Sequence, residues 1–163
     1  MQIKLMKLVV ISDTHTDKIE KLPSMLIEDI KNSDAVIHAG DIVGYPLILQ
    51  LMQLNPIIYP VKGNTDPFIP ELPKKRLLTF QNVAIGVVHG DGSPFGLENR
   101  LLYEFDKADI IIYGHTHKPF WGKFGEQHLL NPGSPTNNRW TDKNSYAILS
   151  IENDTFDAKI IYI

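Results

Sequence analysis

Five short apolar runs, each closed by a polar cluster, constrain this chain more than any other feature of it. Leu8–Ile11, Ala35–His38, Ile57–Val61, Val83–Val88 and Ile110–Ile112 are rich in β-branched residues and too short for buried helices, so they read as strands. Asp13, Asp41, Asn64, His89 and His115 each fall just after one of them. The spacing is roughly 25 residues each time, about one strand plus its return crossover. Leu22–Ile30, with Pro23 in its first turn, and Pro46–Leu54, ended by Asn55-Pro56, carry helical periodicity between the early strands. Arg76–Phe80 and Val83–Val88 flank Gln81-Asn82 as a hairpin, and a helix is expected from Leu97 to Phe105. The remaining segments, Phe120–Phe124, His128–Leu130, Tyr146–Ile151 and Phe156–Ile163, predict an antiparallel meander.

Alternating strands and helices followed by hairpins predict an α/β fold, with one mixed sheet or two sheets packed face to face under outer helices. At 163 residues the chain suits one compact domain over residues 1–163. It has no cysteine, which removes disulfides, thiolate metal sites and cysteine nucleophiles. A net charge of −3 and the lack of a Lys/Arg-rich groove argue against binding extended nucleic acid. No apolar run reaches the length of a membrane span. The apolar start ends at Ser12-Asp13 and reads as a first strand rather than a signal peptide, so a cytoplasmic protein is expected.

In open α/β sheets, groups that do chemistry gather at the carboxyl ends of the strands. Seven side chains can converge there: Asp13, His15, Asp41, Asn64, His89, His115 and His117. In extended backbone, residues i and i+2 face the same way, so His115 and His117 should leave their strand end together, as should Asp13 and His15. Singly, each has a bland reading: a helix N-cap for Asp13, turn dipeptides for Gly40-Asp41 and Gly63-Asn64, a half-buried polar residue for His89. Together, four imidazoles, two carboxylates and an amide oxygen exceed one tetrahedral ion and suit two divalent ions sharing a bridging carboxylate. Nitrogen and oxygen donors without sulfur admit Mn, Fe, Zn, Co or Ni. Two such ions less two carboxylates leave a charge of about +2, which attracts phosphate even on an acidic protein.

The ordered set Ser12-Asp-Thr-His15, His38-Ala-Gly-Asp41, Gly63-Asn-Thr-Asp66, Val88-His-Gly90 and Gly114-His-Thr-His117 resembles the calcineurin-like metallophosphoesterases. The small single-domain phosphodiesterase branch matches best, and it also shows the Asn131-Pro-Gly-Ser134 found here. The likeness runs from about Lys7 to Ser134. It implies a four-layer αββα sandwich of two mixed β-sheets with a metal centre at the strand C-terminal ends. Carried over residue by residue, it implies Asp13, His15 and His117 on one ion, Asn64, His89 and His115 on the second, and Asp41 bridging. Asp41, Asn64 and His89 form the catalytic subset. The implied activity is hydrolysis of a small phosphodiester by a bridging hydroxide on two divalent ions, with manganese the first expectation and Fe, Zn, Ni or Co the alternatives. Rival readings are a protein-interaction scaffold, since a retromer subunit reuses this fold, a monoesterase and a nuclease. A homo-oligomer is left open. Family members commonly begin near Met6-Lys7, so Met1–Leu5 reads as an extension or an upstream start.

Two positions depart from the family pattern. Thr65 stands where larger phosphatases of the superfamily carry a histidine that protonates the leaving group, and threonine is a poor general acid. Asp91 stands where small members often have the second histidine of His-Gly-His; facing the pocket, it would repel a doubly charged monoester more than a singly charged diester. Both lean toward diesters. His38 reads equally as a partner orienting Asp41 or as a buried structural histidine. Asp66 can hold a ligand, hold its loop or cap the turn. Arg100 and Arg139 are candidate phosphate clamps that read more readily as surface charges, and Tyr113 and Trp121 as core or pocket wall.

Overall fold

The computed structural model describes residues 2–163. Its strands are β1 (Met6–Ile11), β2 (Ala35–His38), β3 (Ile58–Pro60), β4 (Lys75–Phe80), β5 (Val83–Val88), β6 (Ile110–Ile112), β7 (Phe120–Phe124), β8 (Gln127–Asn131), β9 (Ser145–Glu152) and β10 (Thr155–Tyr162). Among the described residues three α-helices, α1 (Ser24–Lys31), α2 (Tyr45–Leu54) and α3 (Leu97–Leu101), and a short 3-10 turn (Ile19–Lys21) join them. The strands form two five-stranded sheets, ordered β10-β9-β1-β2-β3 and β4-β5-β6-β8-β7. Each is mixed. β1, β2 and β3 run parallel in the first, as do β5, β6 and β8 in the second; antiparallel strands extend the first trio on one side and the second on both.

The apolar runs explain the layering. Leu8 and Val10 of β1 face the second sheet and pack with Ile85, Val87, Ile110 and Ile112. Val9 and Ile11 face the other way, onto Leu26 and Ile30 of α1 and Leu47 and Leu51 of α2. In the second sheet Ile111 of β6 points outward to Leu97, Leu101 and Phe105 at α3. A strand covered on both faces has no polar side to show, which is why these strands read as unbroken apolar runs. Helices, two sheets and helix stack in that order, the αββα sandwich expected.

Three local expectations are corrected. The last four strands are two hairpins in different sheets, not one meander. β7–β8 extends the second sheet, where β8 pairs parallel with β6. β9–β10 returns to the first, where β9 lies against β1. Hairpin signals are local, whereas the choice of sheet depends on which apolar face the hairpin covers. α3 is shorter than the expected Leu97–Phe105 span: Tyr103 and Glu104 bond back only three residues, to Arg100 and Leu101, so the chain turns and seats Phe105 under Gly86. Pro23 caps α1 from outside rather than sitting in its first turn.

Candidate metal centre

All six parallel strands deliver their carboxyl ends to one rim. β1 leads into Asp13 and His15, β2 into Asp41, β3 into Asn64, β5 into His89, β6 into His115 and His117, and β8 into the 131–138 loop. The seven side chains singled out from the sequence come together there. Asp13 Oδ1 lies 3.3 Å from His117 Nε2 and 3.9 Å from His15 Nε2, and the two Nε2 atoms are 3.3 Å apart. Asn64 Oδ1 lies 3.0 Å from His89 Nε2 and 3.1 Å from His115 Nδ1. Asp41 Oδ2 sits between these two groups, 3.5 Å from His15 Nε2 and 3.3 Å from His89 Nε2.

The route by which the pairs converge differs from extended-strand alternation. Asp13 (φ 54°), His15 (φ 45°), Asp41 (φ 55°), His115 (φ 70°) and His117 (φ 54°) are all left-handed. Each such residue costs on the order of 1 kcal/mol or more, and this strain collects where side-chain aim matters more than backbone comfort. The Asp13-x-His15 and His115-x-His117 spacings therefore mark tight turns rather than strand faces.

Neighbouring loops hold these turns. Asp13 and His15 donate their N–H groups to the Gly40 and Asp41 carbonyls, 2.9 and 3.1 Å away. Asp13 Oδ2 accepts from Ser12 Oγ and the His115 N–H. Asp66 accepts from the N–H groups of Ile42, Val43 and Gly63, fixing the β2 and β3 loops against each other. Two close approaches require glycine. A Cβ on Gly114 would lie 2.0 Å from Ser12 Oγ, and one on Gly63 would lie 2.1 Å from Asp41 Oδ1.

Three imidazoles are oriented by backbone carbonyls. His89 Nδ1 donates to Ala39 O (2.7 Å), His115 Nε2 to Gly92 O (2.8 Å) and His117 Nδ1 to Asn137 O (2.6 Å). A carbonyl only accepts, so each outer nitrogen holds the proton and, in the neutral ring, the inner nitrogen presents its lone pair. Those lone pairs face the oxygens of Asp13, Asp41 and Asn64, so acceptors converge on acceptors. Asp13 Oδ1, fully buried, has no hydrogen-bond partner among the described residues. Such an orphaned anionic oxygen is costly unless a cation meets it. Asp13, His15 and His117, and separately Asp13, Asp41 and His89, can each place one donor atom around a common point. This donor set fits divalent cations.

Among the protein's own charges, Asp41 and His89 favour each other's charged forms. Burial works to raise the Asp41 carboxyl, but the hydrogen bond and charge of His89, with the Thr65 N–H, hold it well below the usual carboxylate range. Burial works to lower His89, but Asp41 and Asp13 raise it above the ordinary histidine value. His38, wholly buried, is pushed down to about 4 by burial, against partial opposition from Asp66 and Asp13. It bonds to Thr14 Oγ1 and accepts the Gly40 N–H, so it braces the loops rather than touching Asp41 directly.

Other candidates separate clearly. Arg100 donates to the carbonyls of Asp91, Ser93 and Phe95, shaping the loop that carries Gly92, and is not turned to the rim. Arg139 is exposed. Trp121 packs on Phe156 and His128, away from the site, and buried Tyr113 bonds Glu98. Ser134 Oγ donates to Asp13 O at 2.7 Å and accepts the Asn137 N–H, so the Asn-Pro-Gly-Ser turn lies under the centre. The Ala39, Gly92 and Asn137 carbonyls carry no side-chain signal, and sequence reasoning missed them.

The family model for the calcineurin-like phosphoesterase superfamily domain matches residues 6–154, and this chain belongs to that family. Among relatives, Probable metallophosphoesterase MJ0623 of Methanocaldococcus jannaschii is 41% identical over 158 residues, covering 94% of this chain and 80% of the relative. Phosphodiesterase MJ0936 of the same organism is 27% identical over 141 residues, covering 78% and 83%. Among solved structures, a Vps29 single mutant from Entamoeba histolytica superimposes with a TM-score of 0.77 at 24% identity over 97% of this chain and 99% of that one, which shows a shared fold.

Proposed function

We propose that this protein is a metal-dependent phosphodiesterase that hydrolyses a small phosphodiester at a dinuclear divalent-metal centre. One observation carries the reading: a buried, unpartnered carboxylate oxygen and the inward nitrogens of the histidines, pre-aimed by backbone carbonyls, face one another at the rim of a phosphoesterase fold. Asp13, His15 and His117 would hold one ion, Asn64, His89 and His115 the other, and Asp41 both, since its Oδ2 lies between the two groups. Manganese is the first expectation, with Fe, Zn, Ni or Co as alternatives. Two such ions, when bound, supply a water of near-neutral pKa and offset charge on the phosphoryl oxygens.

The chain's own residues supply orientation and selectivity. The Thr65 N–H, 2.9 Å from Asp41 Oδ1, fixes the bridging carboxylate. The Thr65 side chain offers no proton at physiological pH, so the site suits leaving groups that depart unaided. Asp91 lines the cleft beside Asn64 and His89, where its charge opposes a dianionic monoester more than a monoanionic diester. We further read residues 1–163 as one working domain of a cytoplasmic protein. Among the described residues no helix is long and apolar enough to cross a membrane.

The test is hydrolysis of bis(p-nitrophenyl) phosphate and p-nitrophenyl phosphate by metal-stripped protein, with and without added Mn²⁺. Metal-dependent release that favours the diester supports the reading. Faster turnover of the monoester would make the protein a phosphomonoesterase. No turnover with Mn, Ni, Co, Fe or Zn would leave the protein-interaction scaffold, the fold's other known use.

A further inference from the structure

A cleft of about 400 Å³ opens beside Asn64 and His89, and three lysines line it: Lys62, Lys74 and Lys75. The topology explains why lysines from two segments meet there. β4 runs antiparallel to β5, so its first residue, Lys75, pairs with Val88, next to His89. The Lys62 N–H donates to Pro73 O at 2.8 Å, which draws the end of the β3 segment against the start of β4. Half-buried Lys62 holds its ammonium 3.2 Å from the Gly63 carbonyl, one residue from Asn64.

Two carboxylates face the same cleft. Glu104 is engaged: Lys75 Nζ lies 3.7 Å from its Oε2 and 2.9 Å from its carbonyl, with the ring of Phe105 under the ammonium. That leaves Lys62 and Lys74 against Asp91. Lys74 is exposed and makes no hydrogen bond or ion pair with any described residue. A net positive cleft continuous with a phosphate-attracting centre is suited to a second anion at a fixed distance from the first.

We propose that this cleft is a subsite for a second phosphate group, so that the preferred substrate is a phosphodiester that also bears a terminal phosphate. Lys62 and Lys74 bind that phosphate while the diester lies over Asp41 and Asn64. This rests on the phosphodiesterase reading but deepens it, because nothing in the seven-residue centre itself distinguishes one diester from another. It also reconciles the acidic protein with an anionic substrate: the positive charge is local, and Lys62 and Lys74 together outweigh Asp91, the one carboxylate of the cleft not engaged by Lys75.

Two measurements test it. The first compares kcat/KM for thymidine 5′-(p-nitrophenyl phosphate) and its 3′-phosphorylated form, in the wild type and in Lys62→Gln/Lys74→Gln. The wild type should prefer the phosphorylated substrate by about tenfold, the size of one or two charge-assisted contacts, and the variant should lose most of that ratio. Equal rates in the wild type, or an unchanged ratio in the variant, would overturn the subsite. The second is calorimetric titration of metal-free protein with pyrophosphate at low salt. Binding should weaken at least fivefold in the double variant and stay unchanged in Lys159→Gln, a control on β10. Pyrophosphate binding indifferent to Lys62 and Lys74 would overturn the subsite. Lysine-dependent binding in a protein that hydrolyses neither ester would keep the subsite and reject the phosphodiesterase.

Discussion

The two ends of the sandwich use the same backbone conformation for opposite purposes. At the far end, left-handed Gln81 (φ 54°) and Asn153 (φ 60°) sit at the tips of the β4–β5 and β9–β10 hairpins. There the two sheets are joined by neutral amides, each donor meeting an acceptor: the Asn82 N–H to Asn153 O, Asn82 Nδ2 to Asn153 Oδ1, the Asn153 N–H to Gln81 Oε1, and Gln81 Nε2 to Lys4 O. At the near end five left-handed residues turn charged and lone-pair groups toward one another, and a buried oxygen goes unpaired. One end is satisfied by the protein alone. The other leaves an anionic oxygen that no described residue meets, and that difference separates a structural turn from a candidate functional one.

The sharpest way to break this contrast is at Asp41 or Asn64. Asp41→Asn and Asn64→Ala should each lower metal-dependent diester hydrolysis more than about 100-fold while circular dichroism and thermal unfolding change little. Full activity in both variants would end the dinuclear assignment. Next in size is pH. His38 is neutral when folded down to about pH 4, whereas its unfolded form gains a proton near 6.5. Falling pH therefore favours the unfolded chain throughout that window, by about 3 kcal/mol in all, and the loss is complete only below the folded value. Denaturant titrations at pH 7, 5.5 and 4 should show this loss, and His38→Gln should flatten it; an unaltered slope would place the sensitivity elsewhere.

Metal binding sharpens the comparison further. Manganese at about 100 times its dissociation constant should add roughly 2.7 kcal/mol of stability. Asp13→Asn should abolish most of that gain, read by differential scanning calorimetry, and Asn82→Ala should leave it whole. The smallest effect belongs to the far end. Asn82→Ala should cost about 1 kcal/mol through the lost side-chain hydrogen bond and leave turnover unchanged. A fall in activity there would mean the two ends are coupled.

Much of this was legible in the chain, for identifiable reasons. Strands buried on both faces write themselves as apolar runs such as Val9–Ile11 and Ile110–Ile112, so the layers were readable. Polar residues that close apolar strands stand out by position, so the meeting of Asp13, Asp41 and Asn64 at one rim was readable. What failed was whatever depends on backbone path. The left-handed turn at His115 and His117 resembles an extended alternation in sequence, because both place residues i and i+2 on one side. The splitting of the last four strands between two sheets depends on contacts more than 100 residues distant, such as Ile151 opposite Met6. The lysine cleft also escaped notice: Lys62 and Lys74 are unremarkable until the Lys62–Pro73 hydrogen bond joins their segments.

β9 lies between β1 and β10, so the first strand of the chain is flanked on one side by a strand that begins at Ser145. Ser134, 121 positions after Asp13, supplies the hydroxyl that grips the Asp13 carbonyl. During synthesis, then, Asp13 and His15 emerge long before the residues that hold them in place. A nascent chain ending short of Asn137 would lack the carbonyl that aims His117, and a chain ending short of β9 would leave β1 with an open edge. The seven-residue rim is thereby complete only in the closing steps of synthesis, after the last hairpin has locked the first strand in register.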